Sequence, residues 1–203
     1  MVRMTDDHDG LYVAVEGIDG SGTTSVAQRL GDGDDVVTTE PYDEIWTGGA
    51  VREALGRETA APTDLFLFLA DRAEHLERVV RPALREGRTV VSDRSKWSTY
   101  AYQPRNVADL VPDPWAWFDG MYAPWDVGPD VTILLEIDPD EAAARTADEG
   151  EKYEVPAVQR HAANNYESLA GAHGFERIDA TMPLDDVVAE ARRIVGAASR
   201  GAL

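Results

Sequence analysis

Residues 16–25, EGIDGSGTTS, place three glycines and several hydroxyl side chains directly after a short apolar run. Glycine permits the backbone angles of a tight loop in which successive N–H groups point at one anion. A helix that begins after such a loop adds the positive end of its dipole. The spacing is typical of the phosphate-binding pattern G-x-x-x-x-G-K-[ST], although a plain glycine turn before a helix is the alternative. The candidate phosphate-binding residues are Gly17, Asp19, Gly20, Ser21, Gly22, Thr23, Thr24 and Ser25.

One position departs from that pattern. Thr23 stands where the pattern has lysine, whereas Thr24 supplies the hydroxyl that usually binds Mg²⁺. Backbone N–H groups and a helix N-terminus can hold phosphates without lysine. What the substitution removes is a mobile positive charge on the transferred group, which is usually a large contribution to catalysis. The sequence therefore predicts phosphate and Mg²⁺ binding, and it leaves open whether phosphate is transferred.

Apolar runs alternate with helical patterns along the chain. Strands are predicted at 11–17, 35–40, 88–93, 130–138 and 175–180. Helices are predicted up to Leu30, over 62–86, from about Trp97, directly after residue 138, over about 155–171 and over 183–198. Strands separated by helices favour parallel pairing with right-handed crossovers. We therefore predict one α/β domain over residues 1–203 with a three-layer P-loop NTPase fold, a five-stranded parallel sheet flanked by helices. Ligands should bind at the carboxyl ends of its strands, where the candidate motifs lie.

The composition is strongly acidic, with 38 acidic and 19 basic residues and a formal net charge of −19. Such a surface repels nucleic acid and anionic membranes, so neither is an expected partner. The bases include two lysines, Lys96 and Lys152, and this balance is similar to that of proteins from salt-loving organisms; an ordinary acidic enzyme is the alternative. No apolar run approaches the ~20 residues of a membrane span, and the first ten residues are polar, so we expect a cytoplasmic protein. The absence of cysteine excludes disulfides and thiolate chemistry.

Seven segments match one known family in order and spacing over nearly the whole chain. They are VEGIDGSGTTS, TTEP at 38–41, FLADRAEH at 68–75, VVSDRSKWSTYAYQ at 90–103, PDVTILLEIDPDEAAAR, NYESLA and RIDATMPLDDV. The chain thereby resembles thymidylate kinases. The resemblance implies transfer of the γ-phosphoryl group of MgATP to dTMP, giving ADP and dTDP. It also implies a homodimer and a short lid at about 146–154.

The resemblance assigns residues to the base and sugar of the acceptor. Phe68 and Arg72 are four positions apart on one helix face, where a ring can stack on a flat base and a guanidinium can donate to its carbonyl. Core packing of Phe68 and a structural ion pair at Arg72 are the alternatives. Tyr102 and Gln103 match residues that lie beside the sugar and base in the family. Glu40, in TTEP, is carried over as a further substrate-binding residue.

The resemblance also assigns residues to the phosphates. Arg94 would grip the acceptor phosphate bidentately. Asp93 would support Mg²⁺ together with Thr24, or it would cap a helix. Asp19 matches a loop carboxylate near the acceptor phosphate, with a turn-stabilising role as the alternative. In or beside the lid, Arg145 and Lys152 would neutralise charge on the transferred group.

Three positions depart from the family pattern, because Thr23, Thr39 and Ser95 replace lysine, arginine and tyrosine respectively. Lys96 or Lys152 would compensate for the lost charge, although Lys96 also fits a solvated helix residue. Two other functions stay open at this point. The chain would be a weak or inactive nucleotide-binding protein of the same fold, or a deoxynucleoside kinase-like enzyme whose acceptor carries no phosphate. The sequence does not decide between dTMP and other pyrimidine acceptors.

Overall fold

The computed structural model describes residues 9–60, 62–145, 153 and 155–201. Five parallel strands form one sheet in the order β2-β3-β1-β4-β5. They are β1 (Tyr12–Gly17), β2 (Val36–Thr39), β3 (Val90–Asp93), β4 (Val131–Glu136) and β5 (Glu176–Asp179). The five predicted strands and their parallel arrangement are confirmed. The first strand lies in the middle of the sheet, so the loop that follows it is central as well.

The described helices cover both faces of the sheet. They are α1 (Thr23–Leu30), α2 (Trp46–Leu55), α3 (Thr63–His75), α4 (Arg81–Arg85), α5 (Lys96–Tyr102), α6 (Pro104–Val107), α7 (Pro114–Tyr122), α8 (Pro139–Arg145), α9 (Pro156–His173) and α10 (Leu184–Gly201). A π-helical turn, Leu76–Val80, joins α3 to α4, so the helix predicted over 62–86 is interrupted in hydrogen-bond pattern only. Helices α2, α6 and α7 were not predicted.

The strands are apolar because they are covered on both faces. All of β1 is buried, and Val13 and Val15 pack with Val26 of α1 and Ile194 of α10. On the other face, Tyr12 packs with the helical residues that follow α3. Sheet and helices therefore form the three layers of the predicted P-loop architecture.

Helix α2 contains two adjacent glycines, and these explain why the sequence did not predict it. Gly48 and Gly49 interrupt a helical pattern, and glycine there disfavours helix. However, a Cβ at Gly48 would lie 2.0 Å from the carbonyl oxygen of Tyr42, so the glycine lets the helix approach the chain that follows β2.

Of the predicted lid, 146–154, the structure describes Tyr153, and Lys152 lies outside the described residues. The single-domain assignment stays a prediction. Among the described helices, none combines the length and the apolar character that crossing a bilayer would require.

Candidate active site

The glycine-rich loop adopts the tight backbone geometry that its sequence predicts. Gly20 and Gly22 have φ values of 83° and 94°, in the left-handed region that favours glycine. At Gly17 a Cβ would lie 2.5 Å from Ser21 Oγ and 2.9 Å from the carbonyl oxygen of Leu135, so this position has no room for a side chain. The N–H of Ser21 donates to the carbonyl of Ile18 at 3.1 Å and closes the turn. Helix α1 begins at Thr23, so the loop ends on a helix N-terminus.

Two side chains meet where the loop faces the end of β3. Thr24 Oγ1 donates to Asp93 Oδ2 at 2.6 Å. The other carboxylate oxygen, Asp93 Oδ1, is buried and has no hydrogen-bond partner among the described residues, and the same holds for Ser21 Oγ. The helix-cap alternative for Asp93 is wrong, because Ser95 is the N-cap of α5 and accepts from the N–H of Trp97. A buried carboxylate oxygen beside a hydroxyl fits a hard cation such as Mg²⁺.

Arg94 follows β3 in an unusual backbone conformation, with φ of 70°. Such a conformation costs a non-glycine residue free energy and persists only where its surroundings impose it. Its guanidinium donates to the carbonyl of Gly17 at 3.0 Å and to Ser98 Oγ at 3.3 Å, and it forms an ion pair with Asp19. The guanidinium carbon also lies 5.6 Å from the ring centroid of Tyr102. Burial disfavours its charge, but the carboxylate of Asp19 outweighs this effect and raises the pKa of Arg94.

Asp19 is held by a helix that the sequence did not connect to the loop. Gln159, in α9, donates from Nε2 to Asp19 Oδ2 at 2.5 Å and accepts the N–H of Asp19 at 3.1 Å through Oε1. The same N–H lies 3.2 Å from the hydroxyl of Tyr102. Asp19 therefore orients Arg94 as well as the loop, and its role is more than that of a turn residue. The sequence gives no signal for Gln159, since it is 140 positions from Asp19 and belongs to no motif.

A buried carboxylate, that of Glu16, lies beneath the loop. It accepts hydrogen bonds from Ser95 Oγ at 2.7 Å, from Ser98 Oγ at 2.8 Å and from the hydroxyl of Tyr166 at 2.8 Å. Burial raises the pKa of Glu16 to about 7, against the lowering effect of these hydroxyls and of Arg94. Ser95, which stands where the family has tyrosine, thus supports both Glu16 and the start of α5.

A cavity of about 500 Å³ extends from the phosphate loop to the side chains predicted to bind the base. Of the predicted residues, it is lined by Asp19, Gly20, Gly22, Thr23, Thr24, Ser25, Glu40, Phe68, Asp93, Arg94, Tyr102, Gln103 and Arg145. Among the described residues, the predicted Gly17, Ser21, Arg72 and Lys96 are not part of its lining. The loop, the Thr24–Asp93 pair and the base-side residues thus share one cavity.

Arg72 is occupied by partners within the protein. Its Nε donates to Asp126 Oδ1 at 2.8 Å and Nη2 donates to the carbonyl of Val127 at 2.8 Å, while Nη1 pairs with Glu40. The residue is 1% exposed. Glu40 also accepts a hydrogen bond from His75 Nδ1 at 3.1 Å, in the histidine tautomer that carries its proton on that nitrogen. In this structure, Arg72 therefore forms the structural ion pair that was the alternative to base binding. A contact between Arg72 and a base stays a prediction.

The basic residues proposed to compensate for Thr23 and Thr39 are placed differently from one another. Lys96 Nζ lies 2.8 Å from Asp126 Oδ2 and 4.8 Å from the ring centroid of Trp97. It is therefore an ion-pair partner rather than a solvated helix residue, and it is not among the residues that line the cavity. Arg145 lines the cavity and donates to the carbonyl of Ala180 at 3.1 Å. Arg52 also lines the cavity, with Nε 2.9 Å from Asp43 Oδ1, and was not predicted.

Other cavity residues were missed although several stand inside recognised segments. They include Asp71, Ser98, Thr99 and Tyr153. Asp71 precedes Arg72 in FLADRAEH, and its carboxylate accepts the N–H of Tyr42 at 2.9 Å and the hydroxyl of Thr47 at 3.0 Å. Burial raises the pKa of Asp71. Asp71 and Ser98 stand inside the segments FLADRAEH and VVSDRSKWSTYAYQ and could have been predicted from them, whereas Tyr153 and Arg52 carry no signal in type or spacing.

Comparisons with known proteins agree with this geometry. The sequence profile described as thymidylate kinase matches residues 15–191. A probable thymidylate kinase of Halobacterium salinarum is 43% identical over 187 residues, covering 89% of this chain and 93% of that relative. One from Methanoculleus marisnigri is 37% identical over 200 residues, covering 95% and 96%. Similarity to a Halobacterium protein also agrees with the halophile interpretation of the acidic composition. The chain belongs to the thymidylate kinase family.

Proposed function

We propose that the protein transfers the γ-phosphoryl group of MgATP to dTMP, giving ADP and dTDP. The observation that carries this proposal is the continuity of one cavity from the phosphate loop to Phe68 and Gln103. A donor at the loop and a monophosphate acceptor between Arg94 and Phe68 would place the reacting groups beside each other. Family membership supports the same reaction.

The donor phosphates bind to backbone N–H groups. Those of Asp19 and Ser21 already donate within the protein, so Gly20, Gly22 and the first turn of α1 supply the contacts. The first N–H groups of a helix have no partner inside the helix and favour an anion. This arrangement needs no lysine to bind phosphate.

The metal site fits Mg²⁺ on the chemistry of its donors. Thr24 and Asp93 supply one hydroxyl and one carboxylate, and phosphate oxygens and water complete the coordination that Mg²⁺ prefers. Bound there, Mg²⁺ would neutralise charge on the donor phosphates. Among the described residues, no cluster of three or more His, Cys, Asp or Glu side chains offers a dedicated metal cage, which suits a metal carried in with a nucleotide.

The acceptor phosphate binds to Arg94, which exchanges part of its pairing with Asp19 for the phosphate. Phe68 stacks on the base, and Tyr102 and Gln103 lie along the sugar and base. Arg72 contacts the base only if it gives up one of its present partners, and Glu40 acts through Arg72. Reaction then depends on positioning and charge neutralisation, without a covalent enzyme intermediate.

Because Thr23 and Thr39 replace a lysine and an arginine of the family pattern, other basic residues must neutralise the charge on the transferred phosphoryl group. Arg94, Arg145 and Arg52 are the basic residues among the described lining of the cavity. We assign the stabilisation of the transferred group to Arg94 and Arg145, with Lys152 as a further contributor. Lys96 acts as a structural partner of Asp126 in the described state.

An acceptor panel tests the substrate class. In molar KCl with MgATP, we expect ADP release with dTMP to exceed that with dUMP and to be close to background with thymidine, because thymidine offers no phosphate to Arg94. Equal or faster turnover with thymidine would instead support a deoxynucleoside kinase-like enzyme.

We further infer a homodimer in the cytoplasm. Apolar side chains such as Trp46 and Phe66 are 75% and 51% exposed, which leaves apolar surface for a second copy of the chain. Light scattering at several protein concentrations tests the dimer, and a monomer at all concentrations would contradict it.

A further inference from the structure

A chain of hydrogen bonds surrounds the side chain of Gln103 at the base end of the cavity. The hydroxyl of Tyr153 donates to Asp64 Oδ2 at 2.7 Å. Its oxygen accepts from Gln103 Nε2 at 3.1 Å and from Asn106 Nδ2 at 3.0 Å. Asn106 Nδ2 also donates to Gln103 Oε1 at 2.9 Å. Three of these side chains are shielded from water, since the exposed fractions are 1% for Gln103, 9% for Tyr153 and 3% for Asp64.

The direction of these bonds follows from Asp64. An ionised carboxylate only accepts hydrogen bonds, and Asp64 receives Tyr153 on one oxygen and Thr59 Oγ1, at 2.6 Å, on the other. The Tyr153 hydroxyl therefore donates its single proton to Asp64 and has none to donate to Gln103. Burial and then the bond to Asp64 raise the pKa of Tyr153, so that proton is retained.

Because the proton of Tyr153 points at Asp64, its oxygen offers Gln103 only an acceptor. Gln103 must then turn Nε2 toward Tyr153, and Oε1 toward the donor on Asn106. The opposite orientation of the amide would place Oε1 against the Tyr153 oxygen and Nε2 against the Asn106 amino group. Both contacts would be repulsive, and leaving buried polar groups unsatisfied is costly.

We propose that Asp64, Tyr153 and Asn106 are positioning residues that fix the orientation of the Gln103 amide and thereby set discrimination between thymine and cytosine nucleotides. This inference rests on the proposed function, in which Gln103 faces the acceptor base. Thymine presents an N–H donor beside a carbonyl acceptor, whereas cytosine presents a ring-nitrogen acceptor beside an amino donor. A fixed amide matches one of these patterns, and an amide free to turn over matches both.

Calorimetric binding of dTMP and dCMP in molar KCl tests the proposal without requiring turnover. We expect the wild type to prefer dTMP and Tyr153→Phe to lower that preference about tenfold, chiefly by binding dCMP more tightly. Asp64→Asn keeps the shape of the side chain but introduces a donor, so the Tyr153 proton can turn toward Gln103. It should lower the preference by a similar factor, and the double variant should lose little more.

Tyr100→Phe is the matched control, since the hydroxyl of Tyr100 also donates to a carboxylate, Asp119 Oδ1, at 2.6 Å, but Tyr100 is not among the described lining residues. It should cost thermal stability without changing the dTMP preference. An unchanged preference in both Tyr153→Phe and Asp64→Asn would overturn this inference while the proposed function stands. A wild type that binds neither nucleotide would overturn the proposed function and this inference with it.

Discussion

Thr24 Oγ1 lies 2.6 Å from Asp93 Oδ2, although 69 positions separate the two residues in the chain. Adjacent parallel strands bring them together, because Thr24 follows the loop after β1 and Asp93 ends β3, which pairs with β1. The contact leaves Asp93 Oδ1 buried and unpartnered among the described residues. It marks the point where the phosphate loop meets the carboxylate that we propose as a ligand of Mg²⁺.

Asp93→Asn should weaken the dependence on Mg²⁺. The neutral amide keeps a contact with Thr24 but removes the charge that a hard cation requires. We expect the Mg²⁺ concentration for half-maximal ADP release to rise at least about tenfold. Asp34→Asn, at an exposed position, is the control and should leave that concentration unchanged. A normal Mg²⁺ dependence in Asp93→Asn would place the metal elsewhere.

Arg94→Lys should impair the acceptor more than the donor. Lysine keeps the charge but loses the planar fork that binds phosphate bidentately. We expect the KM for dTMP to rise by about tenfold or more, with a change of less than about threefold in the KM for ATP. Steady-state kinetics with each substrate varied in turn measures both constants. Equal effects on the two would show that Arg94 serves the loop rather than the acceptor.

Glu16→Gln should change how stability depends on pH. Glu16 has a pKa of about 7 in the folded chain and an ordinary value of 4.5, so the fold holds a proton that the unfolded chain releases between these values. Its contribution to the free energy of unfolding is complete below about pH 4.5 and is lost as the pH rises toward 7, by up to about 3 kcal/mol. Denaturant unfolding between pH 5 and 7 should show a shallower decline in Glu16→Gln than in the wild type. Parallel pH profiles would mean that Glu16 is already ionised in the fold.

Salt should stabilise the protein. With a formal net charge of −19, the folded chain repels itself, and the screening length falls from about 10 Å at 0.1 M salt to about 3 Å at 1 M. We expect the thermal midpoint to rise steadily with KCl, by about 5 °C or more between 0.1 and 2 M. Sucrose at matched water activity is the control for excluded-solute effects. A midpoint independent of KCl would favour the ordinary acidic enzyme.

The sequence was sufficient for features that are local or that depend on the ends of neighbouring strands. The glycine loop and the five parallel strands follow from spacing and from the alternation of strands with helices. Thr24 followed from the loop pattern and Asp93 from the family resemblance, but their direct contact was not predicted. Helix α7 carried a start signal that was overlooked, since Asp113 accepts the N–H of Ala116 at 3.0 Å and Pro114 begins the helix.

Contacts between distant polar residues were beyond sequence reasoning. Arg72 was matched to a base, but its partner Asp126 is 54 positions away in a segment without regular periodicity. Lys96 was singled out by its rarity, and the same Asp126 binds it. Gln159 contacts Asp19 because the packing of α9 brings the two residues together. The residue type of Gln159 alone does not predict this contact.

The proposed function requires that this chain phosphorylate dTMP without a lysine at position 23, where it has Thr23. A coupled assay of ADP release in molar KCl with MgATP and dTMP, run on the wild type beside Thr23→Lys, tests it most directly. We expect wild-type turnover well above the rate without dTMP, with Thr23→Lys changing that rate without being required for it. No turnover by the wild type, with activity appearing only in Thr23→Lys, would contradict the claim and identify a nucleotide-binding protein that has lost its kinase activity.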